Sequence, residues 1–256
     1  MKLTGEHCEN GVSERRFELE VAGAAVPGVL WTPEGARGPR PLILFGHGGG
    51  QHKKAAPVLG TAMRYAKALG YAIVAIDAPD HGARVSPQDA PQVAQREREL
   101  IIRAGGMRGE ALESAMRRAA IVQAEWAATL DAVLTLDIVG SHGSVGYLGL
   151  SMGAILGLPF IASEPRVKAA ALGLVGAYGA DHPLLQAARR ITIPVEFVMQ
   201  WDDTFVPRED ALTLFAAFAS SEKSLHANPG DHADVPAFER TSRENFFVRH
   251  FGMVNG

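Results

Sequence analysis

Val145-Gly146-Tyr147-Leu148-Gly149-Leu150-Ser151-Met152-Gly153 is the stretch whose reading decides the fold. Its first half is a short apolar run of the kind that forms a strand covered on both faces of a parallel sheet. Residues 152–162 then carry apolar side chains at helical spacing. Between the two, Gly149 and Gly153 flank Ser151 and allow a turn tight enough to lift a hydroxyl clear of the backbone. A bare G-x-S-x-G arises easily by chance in a chain with 28 glycines. The strand before it and the helix after it are what give the motif meaning.

Working outward, strand and helix signals alternate. Apolar runs at 42–45, 72–76, 169–174 and 195–199 read as buried parallel strands, and 224–227 as the last strand. Helical spacing recurs at 55–69, 114–135, 208–219 and 238–251. Such alternation specifies an α/β fold, a mostly parallel central sheet with helices on both faces, in which ligands bind at the carboxyl ends of the strands. Residues 16–21 and 28–32 alternate polar and apolar and read as two half-exposed edge strands that open the domain. The departure from alternation is 84–118, charged and helical in propensity. It reads as a small helical cap inserted over the site, or equally as a solvated helix with a packing role alone.

At 256 residues the chain is sized for one domain, and 47% hydrophobic with 21% charged residues is an ordinary globular balance. A net charge of -3 supplies no basic excess, so neither nucleic acid nor a membrane surface is an expected partner. The single cysteine, Cys8, excludes an intrachain disulfide and a thiolate metal cluster. Residues 1–8 lack the apolar core of a secretion signal, and the expected location is cytoplasmic. The longest apolar stretch, 167–180, is broken by Lys168 and three glycines and is too short to cross a bilayer.

Four further motifs accompany Ser151: His47-Gly48-Gly49-Gly50, Asp77-Ala78-Pro79-Asp80-His81-Gly82, Asp203-Thr204-Phe205-Val206-Pro207 and Gly230-Asp231-His232. In these residues, and in their order of serine, acid, histidine, the chain resembles the α/β-hydrolase superfamily over nearly its whole length. It is most similar to the compact bacterial dienelactone-hydrolase-like serine esterases. The resemblance implies that each motif sits on a loop at the carboxyl edge of the sheet. Dienelactone hydrolases proper use a cysteine nucleophile where this chain has Ser151, which makes dienelactone itself a doubtful substrate.

A serine hydroxyl needs a base to take its proton and a carboxylate to orient that base. His232, between the last strand and the final helix, matches the family position for the base. His226 reads as a packed or edge residue and His250 as solvated. Val206-Pro207 places the acid at Asp203, three residues before the valine, as in resembling enzymes. Asp202 is the fallback, and Asp231, next to His232 in the chain, is poorly placed to orient it. The oxyanion of acyl transfer needs two backbone N–H groups. Met152 supplies one, and Gly49 is the choice for the other, with Gly48 and Gly50 as alternatives. His47, Gly48, Gly50 and His81 are possible substrate-pocket residues, although structural hydrogen bonds suit the two histidines better than catalysis. Trp126 and Met116 read as core or cap packing with a possible place in an acyl pocket. His7, His52, His142 and His182 lack the pairing and carboxylate context of a zinc site, so no metal and no cofactor are expected.

The leading expectation is a carboxylesterase that cleaves a small-molecule ester of small to medium acyl length through an acyl-enzyme on Ser151. The same constellation serves amide, thioester, lactone or carbon-carbon bond hydrolysis. A ligand-binding protein that keeps the hydrolase fold without turnover is the alternative from another class. It leaves unexplained why nucleophile, acid, base and glycine loop all occur together.

Overall fold

A computed structural model of the chain describes residues 1–140 and 144–254. Its centre is a nine-stranded sheet in the order β1-β2-β3-β5-β4-β6-β7-β8-β9. The strands are β1 (Lys2–Glu9), β2 (Val12–Val21), β3 (Ala24–Pro33), β4 (Leu42–Gly46), β5 (Ala72–Ile76), β6 (Val145–Leu150), β7 (Val167–Gly173), β8 (Val195–Gln200) and β9 (Lys223–Asn228). β1 to β3 pair antiparallel, and β3 joins β5 antiparallel. From β5 onward every pairing is parallel. The apolar runs follow burial: β5 is buried throughout, and so is β8.

The helices are α1 (Ala56–Arg64), α2 (Ala90–Ala104), α3 (Gly109–Val133), α4 (Met152–Ile161), α5 (Pro183–Ala188), α6 (Arg208–Ala217) and α7 (Phe238–Phe251). Two apolar clusters cover the two faces of the sheet. On one face, Val58, Ala62 and Tyr65 pack with Phe246 and Phe247 of α7. On the other, Ala119, Val122, Trp126, Leu156, Leu185 and Leu214 bring together α3 to α6. This is the mostly parallel sheet with helices on both faces that the alternating pattern predicts.

Several expectations need correction. The opening strands 16–21 and 28–32 are not edges, because β2 is paired on both sides and β1 takes the edge. β1 is almost wholly exposed and its sequence, KLTGEHCE, lacks the apolar alternation that would announce it. The helix expected at 55–69 is an α-helix only to Arg64. Tyr65–Leu69 form one π-helical turn, in which the N–H groups of Gly70 and Tyr71 both donate to the Tyr65 carbonyl. α5 carries no long apolar period and was not expected; His182 caps it by accepting from the Leu184 N–H.

The 84–118 stretch contains α2 but has no boundary at 118. Its second half is the beginning of α3, a single 25-residue helix whose later turns are buried under the sheet. α2 has no buried residue of its own and is tied to α3 by an Arg118–Glu97 ion pair. Among the described residues, no helix is long and apolar enough to cross a membrane.

Candidate active site

β6 delivers Ser151 into a turn at φ 53° and ψ -122°, and α4 begins at the next residue. Local packing explains why both flanking positions are glycine. A Cβ on Gly153 would stand 2.1 Å from the Gly46 carbonyl oxygen, and one on Gly149 would stand 2.7 Å from the Gly153 backbone. Tyr147 locks the far side by donating from its hydroxyl to the Gly153 carbonyl at 2.8 Å. The serine thus sits at the carboxyl edge of the sheet, at the mouth of a helix.

The structure brings Ser151, His232 and Asp203 together. Ser151 Oγ lies 2.9 Å from His232 Nε2, and His232 Nδ1 lies 2.7 Å from Asp203 Oδ2. An ionised carboxylate only accepts, so Nδ1 carries the proton and Nε2 presents a lone pair to the serine hydroxyl. Asp203 is held by its other oxygen, which accepts from the Phe205 and Val206 N–H groups at 2.8 and 2.9 Å. Asp202 makes no contact with His232. Its side chain is 62% exposed and accepts from the Gly230 N–H at 3.2 Å.

Asp231 also does not orient the imidazole, but it has a different task. Its carboxylate accepts from the N–H groups of Thr204 and His232 and from the Thr204 hydroxyl, tying the acid loop to the histidine loop. Those donors hold its carboxyl below the usual aspartate range. The Phe205 ring packs against His232 at 5.1 Å between centroids, and the Arg98 guanidinium of α2 lies over the same ring at 4.8 Å. Sequence reasoning gave no role to Phe205 or Arg98, and it weighed Asp231 only as an orienting acid, not as the tie between the two loops.

In the glycine loop after β4, the Gly48 N–H donates to Gln51 Oε1 and the Gly50 N–H to His81 Nε2, each at 3.3 Å. The Gly49 N–H between them has no protein acceptor among the described residues. A Cβ on Gly49 would lie 3.9 Å from the Met152 Cβ, so the two backbones face one space beside Ser151. Met152 is the first residue of α4, where an N–H has no intrahelical acceptor.

His47 and His81 line neither of the two large clefts that reach Ser151, and each makes the structural hydrogen bonds that suit it better than catalysis. Both are buried, at 2% and 3% exposure. His47 Nε2 accepts from the Ala78 N–H at 3.1 Å while Nδ1 faces the Gly48 carbonyl, so the ring fastens the loop after β4 to the loop after β5. Burial pushes its pKa down to about 4 and lowers that of His81 as well. Asp77 completes this brace, accepting from the Lys53 and Ala83 N–H groups and pairing with the Lys53 ammonium. Of the other pocket candidates, Gly50 lines the cavity under α2, and Gly48 faces a groove on the opposite side.

That cavity holds about 600 Å³ and opens directly on Ser151, Met152 and His232. Leu100, Ile101, Met107, Ile155 and Leu156 give it apolar walls, with α2 as its roof. Trp126 does not line it, being packed edge-on against Tyr147 at 6.0 Å, and Met116 faces a shallow depression elsewhere. Glu196, His226 and Glu239 bring possible metal-ligand atoms within 4.8 Å of one another. His226 and Asn228 both hydrogen-bond Glu239 there, which makes His226 a packed residue of β9. His142 lies outside the described residues.

With this geometry in place, comparison with known proteins is informative. The sequence profile of the dienelactone hydrolase family matches residues 27–239. No curated protein matches the chain significantly. Among solved structures, a cold-adapted esterase from an Arctic intertidal metagenomic library is similar at 34% identity and a TM-score of 0.79, covering 98% of this chain and 99% of that one. An acetyl xylan esterase from Paenibacillus sp. R4 is similar in fold at 17% identity and a TM-score of 0.71, covering 98% of this chain and 87% of that one. A Pyrococcus furiosus esterase, Pf2001, is similar in fold at 14% identity and a TM-score of 0.66, covering 93% of each chain.

Proposed function

Because this chain belongs to the dienelactone hydrolase family within the α/β-hydrolase superfamily, and is therefore a hydrolase, we propose that it is a serine carboxylesterase acting through an acyl-enzyme on Ser151. The observation that carries the reading is the unbroken hydrogen-bond chain Ser151–His232–Asp203 beside an apolar cavity. Ser151 Oγ attacks the ester carbonyl and its proton passes to His232 Nε2. Asp203 holds the imidazole in the accepting tautomer and balances the imidazolium that forms. The carbonyl oxygen, now an oxyanion, meets the Gly49 and Met152 N–H groups.

Collapse of this intermediate breaks the bond to the alcohol oxygen, which leaves with the proton from His232. Water then gives a proton to His232, attacks the acyl carbon and releases the acid with Ser151 restored. None of these steps calls on a cofactor. The cavity suits small to medium acyl chains, and the substrate is a small molecule. α2 serves as the cap of a single-domain enzyme.

Labelling with a fluorophosphonate probe, followed by a panel of esters and matched amides, tests the reading. Stoichiometric labelling at Ser151 and turnover of esters well above amides are expected. Intact protein that stays unlabelled, or amide turnover with inert esters, would overturn it.

A further inference from the structure

A second groove reaches Ser151 and His232 from the side away from the cap. It holds about 650 Å³ and runs between α1, the π turn that follows it and the first turns of α7. Like the cap cavity, which carries Glu97, Arg98 and Arg118, it mixes apolar and charged lining. Arg64, Arg240 and Arg243 border it together with one carboxylate, Glu244. Arg64 already binds Glu244 with two hydrogen bonds of 2.6 Å. Arg240 and Arg243 form no ion pair within 4.0 Å among the described residues, and Arg243 feels a carboxylate, Glu196, only at longer range.

Two buried polar atoms in the same wall have no hydrogen-bond partner: the Tyr65 hydroxyl oxygen and Arg243 Nη1. Tyr65 is 1% exposed and lines the groove. Buried donors are rarely left unpaired, and an unpaired one calls for an explanation such as a ligand. Tyr65 is also the residue at which α1 widens into its π turn, a distortion that recurs at functional sites. Glu196 faces His226 at 4.0 Å, so it is shared between that imidazole and Arg243.

The esterase reading leaves one half of the substrate unplaced. An acyl chain suits the apolar cap cavity, and the alcohol half then extends into the groove. We propose that the groove binds an anionic group, carboxylate or phosphate, carried on the alcohol half of the ester, with Arg243, Arg240 and the Tyr65 hydroxyl as its donors. This inference rests on the esterase reading for its placement of the two halves. The groove as an anion site stands on the arginines and Tyr65.

The test uses the full chain and three butanoate esters, those of 3-hydroxypropionate, glycerol 3-phosphate and 1-propanol. The anionic esters should exceed the neutral one in kcat/KM by about tenfold or more, mainly through KM, and added salt should shrink the gap. Whichever anionic ester is favoured more identifies the group. Arg243→Gln should reduce the anionic-to-neutral ratio on the order of tenfold, and Tyr65→Phe by a smaller factor. Arg240→Gln, at an exposed position where refolding is not at issue, should reduce it too.

Equal turnover of neutral and anionic esters would overturn the inference and leave the esterase reading standing. A ratio that survives in the Arg240→Gln/Arg243→Gln double variant would also overturn it. Calorimetry of 3-hydroxypropionate and glycerol 3-phosphate with Ser151→Ala separates the two readings. If no ester is cleaved but either alcohol binds and loses binding in Arg243→Gln, the anion site stands and the esterase reading falls. If neither alcohol binds, the anion site falls.

Discussion

Replacing Asp203 with asparagine tests how the triad is wired, because the change keeps size and shape and alters only donors and acceptors. Asp203 Oδ1 accepts from two backbone N–H groups, and Oδ2 accepts from His232. In Asp203→Asn the amide oxygen keeps the two backbone donors, which turns Nδ2 toward His232 Nδ1. Two donors cannot face each other, so the imidazole proton moves to Nε2 and points at Ser151. The base then donates where it must accept. The expected loss in kcat is about 10⁴-fold, or about 5.5 kcal/mol of transition-state stabilisation.

Asp202→Asn is the matched control. Its side chain is mostly exposed and touches neither His232 nor Ser151. A change of less than about threefold is expected, in line with about 0.5 kcal/mol for surface substitutions. Steady-state hydrolysis of a short-chain nitrophenyl ester measures both, with thermal melts to establish that each variant is folded. The wiring is refuted if Asp203→Asn keeps more than about a tenth of the activity. It is equally refuted if Asp202→Asn is the more damaging change.

Three other outcomes follow from the geometry. Gly153→Ala forces a methyl group onto the Gly46 carbonyl and should lower stability by about 1–3 kcal/mol and activity with it; a variant with the wild-type melting temperature would contradict the packing. His47 is kept neutral in the fold with its pKa pushed down to about 4. Its unfolded counterpart takes a proton near pH 6.5, so its contribution is complete above that value and declines as pH falls toward 4, by about 3 kcal/mol in all. Urea unfolding from pH 7 to 4 should therefore show a shallower decline for His47→Gln than for wild type, and parallel curves would refute the assignment. Ile101→Trp narrows the apolar cavity and should shift the preferred acyl chain toward shorter lengths on a ladder of esters, whereas an unchanged profile would place the acyl chain elsewhere.

What the sequence discloses is whatever is local in the chain. The run 145–153 announces strand, turn and helix because burial, glycine and period lie in consecutive residues. The final helix, expected at 238–251, is found at Phe238–Phe251 for the same reason. β1 is hidden because an exposed edge strand needs no apolar pattern, only a neighbour to pair with. The roles of His47 and His81 depend on which loops meet, a property of the sheet order rather than of their own neighbours. Phe205 and Arg98 meet at His232 across more than a hundred residues of chain, and Tyr65 meets Arg243 across still more. The choice between Asp202 and Asp203 came from the resemblance, and a side-chain direction decides it in space.

The backbone of Ser151 has a further consequence. A side-chain-bearing residue at φ 53° and ψ -122° occupies a conformation that costs on the order of 1–3 kcal/mol. The crowding of Gly46, Gly149 and Gly153 leaves the turn no room to relax. The fold and the chemistry are therefore in competition at one residue. Ser151→Gly should melt at a higher temperature than wild type while losing its nucleophile. Stability and the presentation of the hydroxyl therefore pull in opposite directions at this residue.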